Sequence, residues 1–202
     1  MKESAFTTAL VTGATGFIGK RLVRRLQAEV IRDSILAASG KLDATPFGPY
    51  VPTRQTPVGE VVVDASKAGA FRRSVYLQQR RSQTLSMLKV FDAPAIATVC
   101  TSRPSSTVPL QSLAMLNSDF VVSTAEAFAN RLLAETDGTD ESLIQRSWLI
   151  ATAREPTDRE KTRCREFLTN QRTKYTGDQA AAAALADMCQ MLLASHAFLY
   201  LE

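Results

Sequence analysis

The chain has one histidine, three cysteines and no run of eighteen apolar residues, and each scarcity removes a class of function. His196 sits in Ser195-His196-Ala197-Phe198 with no cysteine at haem-attachment spacing. It cannot build a His-rich metal site or serve a c-type haem, and it reads as a helix-end residue. Cys100, Cys164 and Cys189 are far apart with no Cys-x-x-Cys among them, which argues against a disulfide framework or a zinc centre. Cys164 and Cys189 fall instead on apolar faces of predicted helices, where cysteine acts as a small core residue. Without a long apolar run there is no transmembrane helix. The N-terminal apolar stretch is interrupted by Thr12, Gly13, Thr15 and Gly16, so it does not read as a secretory signal.

Charge is equally restrained. The formal net charge is +4, and the arginines come as the pairs Arg24-Arg25, Arg72-Arg73 and Arg80-Arg81, with no run of five like charges. That dilution disfavours a dedicated nucleic-acid binder. With 45% apolar and 22% charged residues in 202, the chain can bury a real core as one domain or two small ones.

The patterning predicts a mainly α protein. Residues 5–11 read as a strand and Phe17 to Leu26 as a helix, an isolated β-turn-α fragment whose helix continues at three-to-four residue spacing to a stop at Gly40. Residues 41–71 are irregular and proline-rich, with Val61-Val62-Val63 at most a short strand. Arg73 to Gln78 alternates polar and apolar side chains and is the best second strand candidate. Leu85, Leu88 and Phe91 suggest a helical turn ending before Pro94. The C-terminal half is read as antiparallel helices. Thr107 is a candidate N-cap, and Leu110, Leu113, Leu116, Phe120, Val121, Phe128, Leu132 and Leu133 mark an apolar face with a kink near Ser118. Asp140 is a candidate cap, Thr157 to Glu160 fits a capping box, and a last helix opens near Asp178 with an alanine run suited to close helix contact.

From about residue 25 the chain resembles a bacterial, planctomycete-type family, domain of unknown function 1553. The resemblance rests on Ala28 to Gly40, on Arg72-Arg73-Ser74-Val75-Tyr76, and on Phe91-Asp92-Ala93-Pro94. It continues through Arg103 to Leu113, Leu116 to Val121, Arg154-Glu155-Pro156-Thr157 and the closing Phe198 to Glu202. It implies a module of uncharacterised activity, with a protein or envelope partner, in a family whose members are often exported. Ahead of it, Thr12 to Gly19 resembles the opening of an NAD-dependent epimerase or extended short-chain dehydrogenase. The expected organisation is therefore a leader fragment at 1–24 and a truncated helical domain at 25–202.

Three functions follow as expectations. A non-catalytic interaction or scaffold module, needing no cofactor, fits the missing catalytic constellation. An NAD(P)-binding fragment would use Gly13, Gly16 and Gly19 at the pyrophosphate. Its later acidic residue, Asp33, falls in a helix instead of at a strand end, and no Tyr-x-x-x-Lys is present. A basic face of Arg72, Arg73, Arg80, Arg81 and Arg103 around Tyr76 would grip a polyanion, a phosphate or a partner carboxylate. The same arginines could instead bridge Asp92, Asp119 and Glu126 within the domain. Asp137, Asp140 and Glu141 cluster at a helix start, where carboxylates complement the macrodipole. No metal ligand set is expected.

Overall fold

The computed structural model describes residues 27–94, 109–177 and 179–200. Among them the chain is mainly helical, with one small antiparallel hairpin in the middle. Helix α1 spans Ala28–Ala38 and turns Ala28, Ile31, Arg32, Ile35 and Leu36 inward, a 3.6-residue stripe with an arginine set in it. Its start corrects the sequence expectation. Gln27 is extended at ψ 154, so the helix begins at Ala28 and does not run through from Phe17. Gly40, at φ +75, ends it as predicted: its N–H donates to Ala37 O and that of Lys41 to Leu36 O, a Schellman closure.

Strands β1 (Thr53–Gln55) and β2 (Val61–Val63) pair with Thr53 opposite Val63. The predicted strand at Arg73 to Gln78 is a 3-10 turn over Ser74–Tyr76, whose β-type pairing to the preceding loop is a single parallel bridge between Val51 and Leu77. Asp33 captures both the backbone N–H and the hydroxyl of Ser74, which curls the segment onto α1 in place of a ladder. Helix α2 (Ser86–Val90) follows, and Leu85, Leu88 and Phe91 are buried around it.

Helices α3 (Pro109–Asn117) and α4 (Asp119–Glu135) are separated at Ser118, whose extended backbone makes the kink a break. Next come α5 (Asp140–Thr152), α6 (Asp158–Arg172), α7 (Ala180–Leu193) and the short α8 (His196–Leu199). The cap of α5 is Thr139, with Asp140 one residue inside the first turn. Helix α7 is the axis of this half, contacting α3, α4, α5, α6 and α8. It buries Ala184, Leu185, Met188, Cys189, Leu192 and Leu193. Of the alanine run only Ala184 is buried, so the close contact is local. Burial pushes the Cys189 thiol up, and both Cys164 and Cys189 are free, buried core residues.

The α6 N-terminus carries the predicted capping box. Thr157 accepts from the Glu160 N–H, and the Glu160 carboxylate accepts from the Thr157 N–H at 2.7 Å. Arg154 adds a bidentate pair at 2.9 and 2.8 Å, and chiefly this bond holds Glu160 down at about 2. A depressed carboxylate stabilises the fold above its ordinary value of 4.5 and loses that contribution as pH falls from there through about 2. The melting-temperature gap between wild type and Glu160→Gln should therefore be constant near neutrality and close across that acid window. A gap independent of pH would show that the carboxylate's charge contributes nothing.

Candidate functional site

The most organised polar feature is a relay of two arginines between α1 and the irregular middle. Arg32 is 2% exposed, and burial outweighs the nearby Asp33 in pushing its guanidinium down to about 10, still charged at neutrality. It donates to Ala70 O and Arg72 O, each at 2.9 Å, and to the Ser74 hydroxyl at 3.3 Å. Asp33 closes the knot by accepting from Ser74 N and Oγ at 2.8 and 2.7 Å. It lies in α1, as the sequence places it.

Arg72 passes the order outward. Its main chain is fixed by Arg32, and its buried side chain donates to Pro49 O at 2.9 Å, Thr45 O at 3.1 Å and Phe47 O. The guanidinium lies 3.9 Å from the Tyr76 ring centroid, and the Tyr76 hydroxyl accepts the Phe47 N–H at 2.9 Å. The loop 45–50 is thus held from inside by one arginine and one tyrosine. It projects what the core does not use: Phe47 is 82% exposed and Tyr50 65%. Phe47 has φ +61, a left-handed conformation that is unfavourable for a side chain of this size.

The structure divides the arginines grouped by the sequence. Arg72 is inside, with its guanidinium bonded to main-chain carbonyls. Arg73 is exposed and lies 3.9 Å from Asp33. Arg80 spans the Gln78 and Gln83 amides on the surface, and Arg81 is exposed. Arg103, and the turn glycines Gly13, Gly16 and Gly19, lie outside the described residues. Asp137 accepts from the Thr139 N–H and hydroxyl and from the Ser142 hydroxyl, bonds that lower its pKa and finish the α5 cap. Among the described residues no group of three or more His, Cys, Asp or Glu is arranged to hold a metal ion. None of the described helices is long and apolar enough to cross a membrane.

A second surface corrects the expected core face of α3. Gln111 and Met115 are its buried residues, whereas Leu110, Leu113 and Leu116 are each more than half exposed. Leucines three residues apart do form one helical stripe, but the opposite side of α3 faces α4 and α7. Gln111 explains the inversion: its amide donates to Val90 O at 3.1 Å, and the Gln190 amide donates to Leu116 O at 2.8 Å. Beside the stripe runs a groove of about 350 Å³, floored by Met87, Phe91 and Met115 and rimmed by Glu60 and Asp119.

Two of these features escaped the sequence reading. Arg32 stands on the apolar stripe of α1, and a charge in that register marks a buried clamp. Phe47 and Tyr50 stand among Pro46, Gly48 and Pro49, a pattern of aromatics in a rigid turn-rich loop. No curated protein and no solved structure matches the chain. A family model matches residues 7–168, starting ahead of the Thr12 to Gly19 segment and spanning it, and gives no support to a foreign leader there. The match covers well over half of the sequence, and the chain belongs to the PSD1 family of proteins of unknown function (DUF1553).

Proposed function

We propose that this chain is a non-catalytic interaction module that docks on another polypeptide through the loop displaying Phe47 and Tyr50. The observation that carries the reading is the relay: a buried arginine is spent on holding three carbonyls of an exposed loop. Strain of this kind, about 1–3 kcal/mol for a non-glycine residue at positive φ, persists where surrounding structure over-determines it. Preordering removes part of the entropy that a mobile loop would lose on binding. Two exposed aromatic rings then supply the anchors typical of interface cores. The matching partner surface offers an apolar pocket for the phenyl ring and a hydrogen-bond acceptor for the tyrosine hydroxyl.

The test is selection of apolar peptides on the full chain from a displayed library, followed by affinity measurement on variants. Phe47→Gly removes the anchor while fitting the φ, so melting should stay within a few degrees of wild type. Its affinity for selected peptides should fall about 30-fold, the equivalent of a hot-spot side chain. Tyr50→Ala should weaken the same peptides. If no peptide is enriched, or enriched peptides bind both variants as wild type, the reading is wrong.

A further inference from the structure

Excess positive charge is concentrated in the part of the chain that carries the Phe47 loop. Seven of the 24 lysine and arginine residues and three of the 20 acidic ones lie between residues 41 and 81. That stretch has a formal charge of +4, the value of the whole chain, and the remaining 161 residues carry as many acids as bases. One of the seven is Arg72, whose guanidinium is held under the loop by the carbonyls of Thr45, Phe47 and Pro49, neutral partners that do not cancel its charge. Asp33 and Asp43 offset part of the excess, and both are engaged. Asp33 accepts from Ser74, and Asp43 from the Thr45 N–H.

The apolar surface is wider than the loop itself. Val75 is 72% exposed, and it precedes Tyr76, whose hydroxyl accepts the Phe47 N–H. The parallel bridge of Val51 with Leu77, in which the Val51 N–H donates to Tyr76 O at 2.8 Å, lays Pro49 and Tyr50 alongside Val75 and Tyr76. Phe47, Tyr50 and Val75 thus form one exposed apolar surface drawn from two segments. Arg73 stands two residues from Val75, and its side chain is 59% exposed. Its pair with Asp33, at 3.9 Å and in contact with water, is of the weak surface kind, which a better-placed carboxylate can displace.

We propose, as an inference that rests on the loop's docking role, that the polypeptide segment it binds is acidic. An apolar side chain of that segment sits among Phe47, Tyr50 and Val75, and a neighbouring carboxylate is received by Arg73. A guanidinium meets a carboxylate through two parallel N–H···O bonds, which fixes the register of the segment as well as its charge. The surrounding excess of positive charge draws the same segment in from a distance, an effect that salt weakens.

The test is a displayed library selected on the full chain, in which an apolar core is flanked by positions drawn equally from Glu, Gln and Lys. Peptides enriched on wild type should carry an excess of Glu over Lys. Their affinity should fall as sodium chloride is raised from about 50 to about 500 mM. Arg73→Gln should weaken them about threefold, as expected for one exposed ion pair, with melting left near that of wild type. Selection repeated on Arg73→Glu should shift the enriched flanks toward Lys, a reversal that misfolding would not produce. Enrichment without charge preference, or affinities indifferent to both Arg73 variants, would overturn the acidic partner and leave the docking role standing. Failure to enrich any peptide, or enrichment unaffected by Phe47→Gly, would remove the docking role and the acidic partner with it. Polyglutamate binding as tightly as the selected peptides would show a general polyanion surface with no use for the apolar residues, and would also overturn the proposal.

Discussion

Arg32→Ala is expected to be the most damaging single substitution in the chain, lowering stability by about 3–5 kcal/mol. The guanidinium is fully enclosed and is the hydrogen-bond donor to Ala70 O, Arg72 O and Ser74 Oγ. Truncation leaves these acceptors without their donor, opens a cavity between α1 and the 70–74 segment, and leaves Asp33 with the exposed Arg73, 3.9 Å away, in place of two neighbouring cations. For a chain of this length the melting temperature should fall on the order of 10 °C. Arg32→Met separates the contributions, because it fills much of the volume and removes the buried charge while still leaving the carbonyls unserved. It should lose less than the alanine variant and remain clearly below wild type. A methionine variant as stable as wild type would show that packing, and not carbonyl satisfaction, is what Arg32 supplies.

That dependence explains which parts of the fold could be read from the sequence. The C-terminal helices were legible because local rules and tertiary packing agree there. Thr157 and Glu160 cap α6 as their spacing predicts, and Leu185, Met188 and Leu192 bury the face their periodicity marks. The hairpin was visible only as a valine triplet, since β1 is Thr53-Arg54-Gln55 and carries no apolar alternation. Segment 73–78 alternates like a strand, yet Ser74 is captured by Asp33 from forty-one residues away, and no local pattern reports such a bond. In α3 the leucine stripe has the right period but the wrong side, because Gln111 and Met115 find partners inside. Periodicity shows that a helix has an apolar stripe; which side is buried depends on neighbours.

The candidate site was hardest for the same reason. Arginine pairs in a sequence are ordinarily solvated, so Arg72 and Arg73 read as one basic face. The fold sends them opposite ways, Arg72 under the loop at 45–50 and Arg73 toward solvent. What decides the split is Arg32, which fixes the Arg72 carbonyl and so aims its side chain. An arginine's function here follows from which main-chain atom another arginine holds.

Gly69→Ala and Arg72→Ala should consequently be coupled. Gly69 has φ +78, and a Cβ there would stand 2.9 Å from Arg72 Cδ. Alanine at this position therefore meets two penalties, about 1 kcal/mol of left-handed strain and a displacement of the Arg72 side chain. If that displacement breaks the bonds to Pro49 O and Thr45 O, the total should reach about 2–3 kcal/mol. Arg72→Ala alone should cost about 2–3 kcal/mol, less than Arg32→Ala because the loop carbonyls lie near the surface, where water can replace the donor. In the Arg72→Ala background the clash is gone, so adding Gly69→Ala should cost only the strain. Measured by denaturant unfolding, the double variant should fall short of the summed single losses by about 1–2 kcal/mol. Both single variants should also lose affinity for peptides selected on the Phe47 loop, since each releases the brace while leaving the phenyl ring in place. Additive losses would mean that Gly69 and Arg72 act independently, and peptide affinity unchanged by Arg72→Ala would mean that the loop holds its shape without the guanidinium.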